Sequence, residues 1–445
     1  MPFRKSDVRD LFESHCHGDA QQFVRETCHL MGLTDRDGCR HVDSNGSPKF
    51  GDVMEADGTT SAGGRLKPSS FSFNALGRGL LGDDLFEDLY EPGSKKLGAA
   101  LGSMRTDLLE AGEGAVGPGA YANVNAFTAV IAGLLEISVM EGWQNPAFIA
   151  DVLAPADATK MFDGRKVIGS SRIGDAAEER LPGMPTKRVQ VGERWITQPR
   201  TVENALSVEV TQEMVFLDLT GQAVTEAQDL GTWLGYRKEV RCIDAFIGVN
   251  NTYSFMGTSF NTYQVAGTWD NDVASNELLH EANMETVLIK FRNMVDPQSL
   301  TPVLIQPNAV LVNMGKMRAA RQTFGDLAVG VQYRDAPGAV ATPQYVRVGE
   351  AAYKGQFNII TSPIVYNRCV AADGLNLSAV NAEKYWWAFE SGKALKYAQN
   401  WPLRVQQAVP NTVEMIDRGI VLYAKADERG IPFWYEPRRV VRSKN

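Results

Sequence analysis

Residues 208–239, VEVTQEMVFLDLTGQAVTEAQDLGTWLGYRKE, change periodicity halfway along. The opening is strand-like. From about Gly221 the apolar positions move to helical spacing, with Val224, Ala227, Leu230, Leu234 and Val240 on one stripe and Glu226, Asp229, Arg237 and Lys238 on the other side. The spacing predicts one long helix over residues 220–248. Helices of that length rarely persist on propensity alone, so Leu230 and Leu234 are expected to be buried against a partner layer, namely the sheet of the closing strands.

Working outward, 445 residues exceed what one hydrophobic core usually organises, so two or more compact units or one elaborated fold are expected. The 44% hydrophobic and 22% charged residues are ordinary for a globular protein. A net charge of −8 argues against a chain whose main task is to grip nucleic acid by neutralising phosphates. The N-terminus MPFRKSDVRDLFESH has no apolar core, and VNAFTAVIAGLLEISVM is interrupted by Asn125 and Glu136, so neither a signal peptide nor a membrane span is expected. Five cysteines, an odd number, read as reduced thiols of a cytosolic product.

Upstream of the long helix, residues 6–31 have helical spacing and 32–75 are polar and glycine-rich, as an extended arm would be. Shorter helices are expected over 82–90 and 96–110, before a glycine-rich boundary near residue 118. Residues 123–141 predict a helix with one broad apolar face. Residues 164–198 are basic and glycine-rich with too little apolar material to bury, which predicts a two-stranded excursion standing off the body. Downstream, 274–294 reads as an amphipathic helix, PVLIQPNAVLVN as paired or bent strand, MGKMRAARQTFG as helix and FNIITSPIVYN as buried strand. RGIVLYAKADERGIPFWYEPRRVV reads as two strands joined by a turn at DERGIP.

Chemistry is sparse. The glycines at 112, 114 and 117 match a dinucleotide-binding spacing, but they follow a helical pattern and precede Pro118, so a boundary fits better. Four of five histidines and three of five cysteines lie within residues 15–41. Cys16, Cys28, Cys39 and His41 are candidate zinc ligands, but without a paired-cysteine knuckle, solvated or packed side chains are the simpler reading. His280 lies in an amphipathic helix, where surface histidines are common. No nucleophile elbow, zinc-protease helix or phosphate-binding loop is present, so no catalytic residue and no cofactor is expected.

Three patterns in order resemble the major capsid proteins of tailed bacteriophages, the Hong Kong 97-like shell fold, over roughly residues 121–442. The basic excursion leading into VEVTQEMVFLDLTGQAVTEAQDLGTWLGYRKE is similar to that family's extended loop and spine helix. NELLHEANMETVLIKFRNMVDPQSLTPVLIQPNAVLV is similar to its axial-domain helix, D-P turn and strands. EKYWWAFESGKALKYAQNWPLRVQQAVPN, residues 383–411, continued to MIDRGIVLYAKADERGIPFWYEPRRVV, resembles its closing strands. VNMGKM stands where such chains often have prolines, and nothing before residue 120 matches the family.

The resemblance implies an α+β shell fold: an N-terminal arm (1–120), the first part of a peripheral domain (121–163), an extended loop (164–200), the peripheral domain with its spine helix (201–262), an axial domain (263–385) and closing strands (386–445). It implies a structural head protein, not an enzyme, assembling as pentamers and hexamers into an icosahedral virion shell around double-stranded DNA. DNA contact would be weak and non-specific; portal, scaffold and decoration proteins are the other partners, no membrane is involved, and assembly takes place in the host cytoplasm. The alternative is an encapsulin-like nanocompartment shell. Expected interface residues are Arg165, Lys166, Arg172, Arg180, Lys187, Arg188 and Arg194 on the loop, with acidic partners Glu226, Asp229, Glu203 and Glu209 on a neighbour. Trp386 and Trp387 would face opposite sides of a strand, one inward and the other against a neighbour or covering loop.

Overall fold

The computed structural model describes residues 20–31, 74, 76–78, 131, 133–145, 147–170, 193–217, 222–266, 269–279, 281–295, 302–325, 329–330, 348–349, 353–408 and 418–444. The chain divides into two compact units. The first draws its described residues from Met1–Asn145, Glu203–Arg237 and Trp401–Arg429, and the second from Pro146–Val202, Lys238–Asn400 and Gly430–Asn445.

The strands in chain order are β1 (Ala156–Ala158), β2 (Lys166–Ser170), β3 (Glu193–Thr197), β4 (Val202–Thr211), β5 (Tyr253–Phe255), β6 (Thr258–Phe260), β7 (Asp272–Val273), β8 (Ala309–Val312), β9 (Val329–Gly330), β10 (Val348–Gly349), β11 (Asn358–Thr361), β12 (Trp386–Phe389), β13 (Leu395–Ala408), β14 (Ile420–Trp434) and β15 (Val440–Ser443). The long helix, Gln222–Ile247, has 26 residues and agrees closely with the sequence expectation. Val224, Ala227, Leu230, Leu234 and Val240 are all buried, as the stripe requires.

In the first unit the N-terminal half of this helix meets the helix at 133–143. Glycines allow the approach: a Cβ on Gly231 would stand 2.0 Å from the Val139 carbonyl oxygen, and one on Gly142 would stand 2.0 Å from that of Gln228. The glycine face of this half therefore meets a helix, a partner the sequence reading did not name, while at the other end of the stripe Val240 shares a core with Leu395, Tyr397, Trp434 and Val440 of the closing strands, as expected. Truncating Leu234 to alanine is expected to cost about 2–5 kcal/mol, read from denaturant unfolding of the isolated subunit. The helix Ala20–Leu30 buries Phe23, and Asn74 donates from Nδ2 to the Phe216 carbonyl at 2.6 Å, so parts of the N-terminal arm belong to this unit's core.

The second unit is organised by a five-stranded sheet of order β11-β8-β12-β15-β7. Its centre, β12, runs antiparallel to both β8 and β15, with Trp387 opposite Leu311 on one side and Arg442 on the other. Side chains alternate across a strand, so adjacent tryptophans feed different cores. Trp386 and Ala388 pack with Val310, Val312 and Val441, under Met284, Val287 and Phe291 of the helix Glu281–Asn293. Trp387 and Phe389 pack with Ala309 and Leu311, under Ile243 and Phe246 of the long helix and Ile364 and Val365 of the helix Pro363–Val370. Both tryptophans are buried within the chain, at 1% and 0% exposure, and Trp386 Nε1 donates to the Asn276 carbonyl at 2.7 Å. The expectation that one of them faces a neighbour is corrected: the sheet is covered on both sides by this chain's own helices.

Three further readings are revised. FNIITSPIVYN is strand only to Thr361; the Ser362 hydroxyl then accepts from the Ile364 N–H and Pro363 takes the first helical position. The amphipathic helix expected at 274–294 is described at Glu281–Asn293. DERGIP is not a turn, because β14 runs unbroken from Ile420 to Trp434. Gly430 serves a close approach there: a Cβ would meet the Tyr397 ring at 2.2 Å. Among the described residues no helix is long and apolar enough to cross a membrane.

Candidate interaction surface

The expected excursion begins where predicted. β2 and β3 pair antiparallel, from Lys166 opposite Thr197 to Ser170 opposite Glu193. Below the strands the pairing continues, with Gln198 N donating to Arg165 O at 2.9 Å and Thr201 N to Phe162 O at 2.8 Å. The pair does not stand alone: β3 also pairs with β5 and β5 with β6, giving a four-stranded sheet of order β2-β3-β5-β6. The β5–β6 hairpin turns on Met256 and Gly257, both at positive φ (50° and 79°), the backbone of a two-residue primed turn. A two-stranded ribbon is marginal in water, and this hairpin anchors the base.

The described basic residues of this sheet are each engaged within the second unit. Arg165 forms an ion pair with Asp157 at 3.1 Å, the Lys166 ammonium sits 4.9 Å from the Trp195 ring centre, and the Arg194 guanidinium lies 5.9 Å from that of Phe255. Arg172, Arg180, Lys187 and Arg188 lie outside the described residues. In the first unit Glu226 and Asp229 are exposed on the long helix, and Glu209 is exposed on β4. Glu203 is engaged at home, 3.3 Å from Lys425 and 3.9 Å from Arg429.

Around the base of the β2–β3 pair the surface is apolar instead of only basic. Ile168 on β2 is 67% exposed, and Met161 and Phe162, just before the ladder, are 53% and 49% exposed. Sequence reasoning missed this feature, because scattered apolar residues in a basic, glycine-rich run look like too little to bury. Large apolar side chains left exposed next to one another in the chain, as Met161 and Phe162 are, are candidates for a surface that another protein covers.

Elsewhere polar clusters are structural. The Glu239 carboxylate is fully buried and accepts from the N–H groups of Ile149 and Ala150, at 3.0 and 2.6 Å. Burial pushes its pKa up to about 6 although those hydrogen bonds pull the other way. It caps the short helix Ala150–Leu153 from the side. Asp272 on β7 receives two hydrogen bonds from Arg442, at 3.1 and 2.8 Å, and one from Lys444 at 2.7 Å. Arg368 grips Asp244 through Nε and Nη2, at 2.6 and 2.9 Å, tying the helix Pro363–Val370 to the long helix. Among the described residues no group of three or more His, Cys, Asp or Glu side chains is arranged to hold a metal. Of the zinc candidates only Cys28 is described, half-buried on the helix Ala20–Leu30; Cys16, Cys39 and His41 lie outside the described residues, as do His280 and the glycines at 112–117.

No family model matches the chain, and no curated protein matches it. Among solved structures it is similar to viral capsids. The capsid of Cyanophage P-SCSP1u is 11% identical, covering 67% of this chain and 88% of that one at a TM-score of 0.40. The Cyanophage Pam1 capsid is 13% identical, with 69% and 92% covered and a TM-score of 0.40. The capsid of the native GTA particle is 14% identical, with 67% and 89% covered and a TM-score of 0.37. TM-scores of this size leave the function to be argued from the chain's own residues.

Proposed function

We propose that this chain is the major capsid protein of a tailed bacteriophage, a structural subunit that closes with copies of itself into an icosahedral shell around double-stranded DNA. The observation that carries the reading is the β2–β3 pair with exposed apolar residues on it and just before it, Ile168, Met161 and Phe162, leading through β4 into a 26-residue helix. The resemblance in sequence implies the same order, an extended loop followed by a spine helix, and the exposed apolar residues give the loop a reason to lie against another copy. Basic residues along residues 164–198 would add steering and register more than affinity. The work is mechanical, done by subunit contacts. Pentamers and hexamers are the expected building rings, and a net charge of −8 keeps the attraction to packaged DNA weak.

The test is deletion of residues 171–192 with a short glycine link. The deleted subunit is expected to fold and melt like the full chain but to form no particles in electron micrographs. Normal heads from the deleted chain would rule the reading out. Particles of the full chain are expected to protect DNA from nuclease; particles holding a protein cargo and no DNA would favour the nanocompartment alternative.

A further inference from the structure

In the first unit β4 lies beside β14, and among the described residues no strand lies along its outer edge. β4 is 10 residues long, VENALSVEVT, and has no proline, glycine or lysine to blunt such an edge. Its two faces are uncovered as well. Glu203, Ala205 and Ser207 point to one face and Leu206 to the other, and all four are exposed, Leu206 at 43%. Towards β14, Glu203 pairs with Lys425 and Asn204 donates to the Glu428 carboxylate, so the inner edge is taken. The outer edge presents a row of main-chain N–H and C=O groups, a template for one more strand.

The residues of β4 select that strand. A second β4 fits poorly, because full antiparallel overlap sets Glu203 of one copy opposite Glu209 of the other at both ends. The run RVQVG, residues 188–192, fits well. It lies outside the described residues and leads directly into β3. Laid antiparallel with Arg188 opposite Glu209, it sets Val189 opposite Val208 and Val191 opposite Leu206 on one face, and Gln190 opposite Ser207 on the other. A slip of one residue would set Arg188 against Val208 and Val189 against Ser207, so charge and hydropathy agree on one register. That register cannot close within one chain. It is the register of a β3–β4 hairpin, in which 193–197 would run alongside 200–204, but both edges of β3 are occupied, by β2 along its length and by β5 at Ile196. The run that meets β4 in this way therefore belongs to another copy.

We propose that residues 188–192 of a second copy add to the outer edge of β4 as an antiparallel strand, with Arg188 opposite Glu209. The contact gives the extended loop its landing place on a neighbour and rests on the shell reading. Main-chain hydrogen bonds supply the attachment, the two valines cover Leu206 and Val208, and the ion pair fixes the register.

The experiment uses the full chain. Gln190→Cys and Ser207→Cys subunits are purified separately, mixed, assembled and oxidised, so that only a contact between copies can join the two positions. The mixture is expected to give a chain dimer whose linked peptides contain positions 190 and 207, while either variant alone gives no more dimer than the unmodified chain with its native cysteines. A mixture that behaves like its components would overturn the proposal. Charge reversal tests the register. Arg188→Glu and Glu209→Arg should each raise the concentration needed for half-assembly about tenfold, and the two changes in one chain should restore it. Single variants that assemble normally, or a double variant no better than the worse single one, would overturn it too. If the unmodified chain forms no particles, the shell reading fails, and oxidation of the concentrated mixed subunits decides this contact: a link between positions 190 and 207 supports it, and its absence removes it.

Discussion

Adding one methyl group at Gly231 is expected to cost the isolated subunit about 3 kcal/mol, the upper end of what overpacking usually does. On helix propensity alone alanine should gain up to about 1 kcal/mol over glycine, so the sign of the result decides which effect wins. Packing should win, because the new Cβ would meet main-chain atoms of Val139, at 2.0, 2.8 and 3.0 Å, and backbone cannot swing aside as a side-chain tip can. Gly133, in the helix at 133–143, provides the control. Its Cβ would meet only Cys28 Sγ at an ordinary 3.4 Å, so Gly133→Ala should be neutral or stabilising. Urea unfolding of the two variants checks the claim. Equal behaviour would mean that the two helices do not cross through Gly231.

Replacing Asp272 by alanine is expected to cost about 3–5 kcal/mol, because it strands two cations that have lost their counter-charge. The Asp272 side chain is only 3% exposed, and Arg442 and Lys444 both converge on it from the end of the chain. Burial alone would raise its pKa, but the hydrogen bonds and charges of Arg442 and Lys444 outweigh that and hold the carboxyl below its ordinary value of 3.8. A lowered acid pKa stabilises the fold fully above the unfolded value, and that part is lost as pH falls through the folded one. The wild-type subunit should therefore lose this contribution only below about pH 4, and Asp272→Ala should flatten the acid limb of its stability curve. An unchanged acid limb in the variant would show that the three groups are not coupled.

The sequence predicted best what repeats locally. The long helix was legible to within a residue or two because its apolar positions hold helical spacing from Val224 to Val240. Alternation placed Trp386 and Trp387 on opposite faces, but alternation says nothing about what covers each face. Here helices of the same chain cover both, so neither tryptophan is a surface residue. DERGIP failed for a related reason. Glycine followed at once by an apolar residue and proline is a turn signal, yet Gly430 sits in an extended strand because the Tyr397 ring leaves no room for a side chain. The Ser-Pro pair at 362–363 carried a helix-start signal that the apolar run around it concealed.

The candidate surface was legible in part. Basic charge and glycine marked residues 164–198, and the β2–β3 pair starts there. The anchoring hairpin and the exposed Ile168, Met161 and Phe162 were not legible, because each depends on which distant segment lies alongside. The same is true of the triad at Asp272, whose partners follow it by 170 and 172 positions.

The central claim is that copies of this chain close into a shell. The most direct measurement is sedimentation velocity of the purified full chain, with electron microscopy of the fastest fraction. The shell reading predicts a concentration-dependent shift from subunits to a single fast species, seen as closed hollow particles of uniform diameter. A chain that stays monomeric or dimeric at every concentration and salt tried, with no particles on the grid, would contradict it.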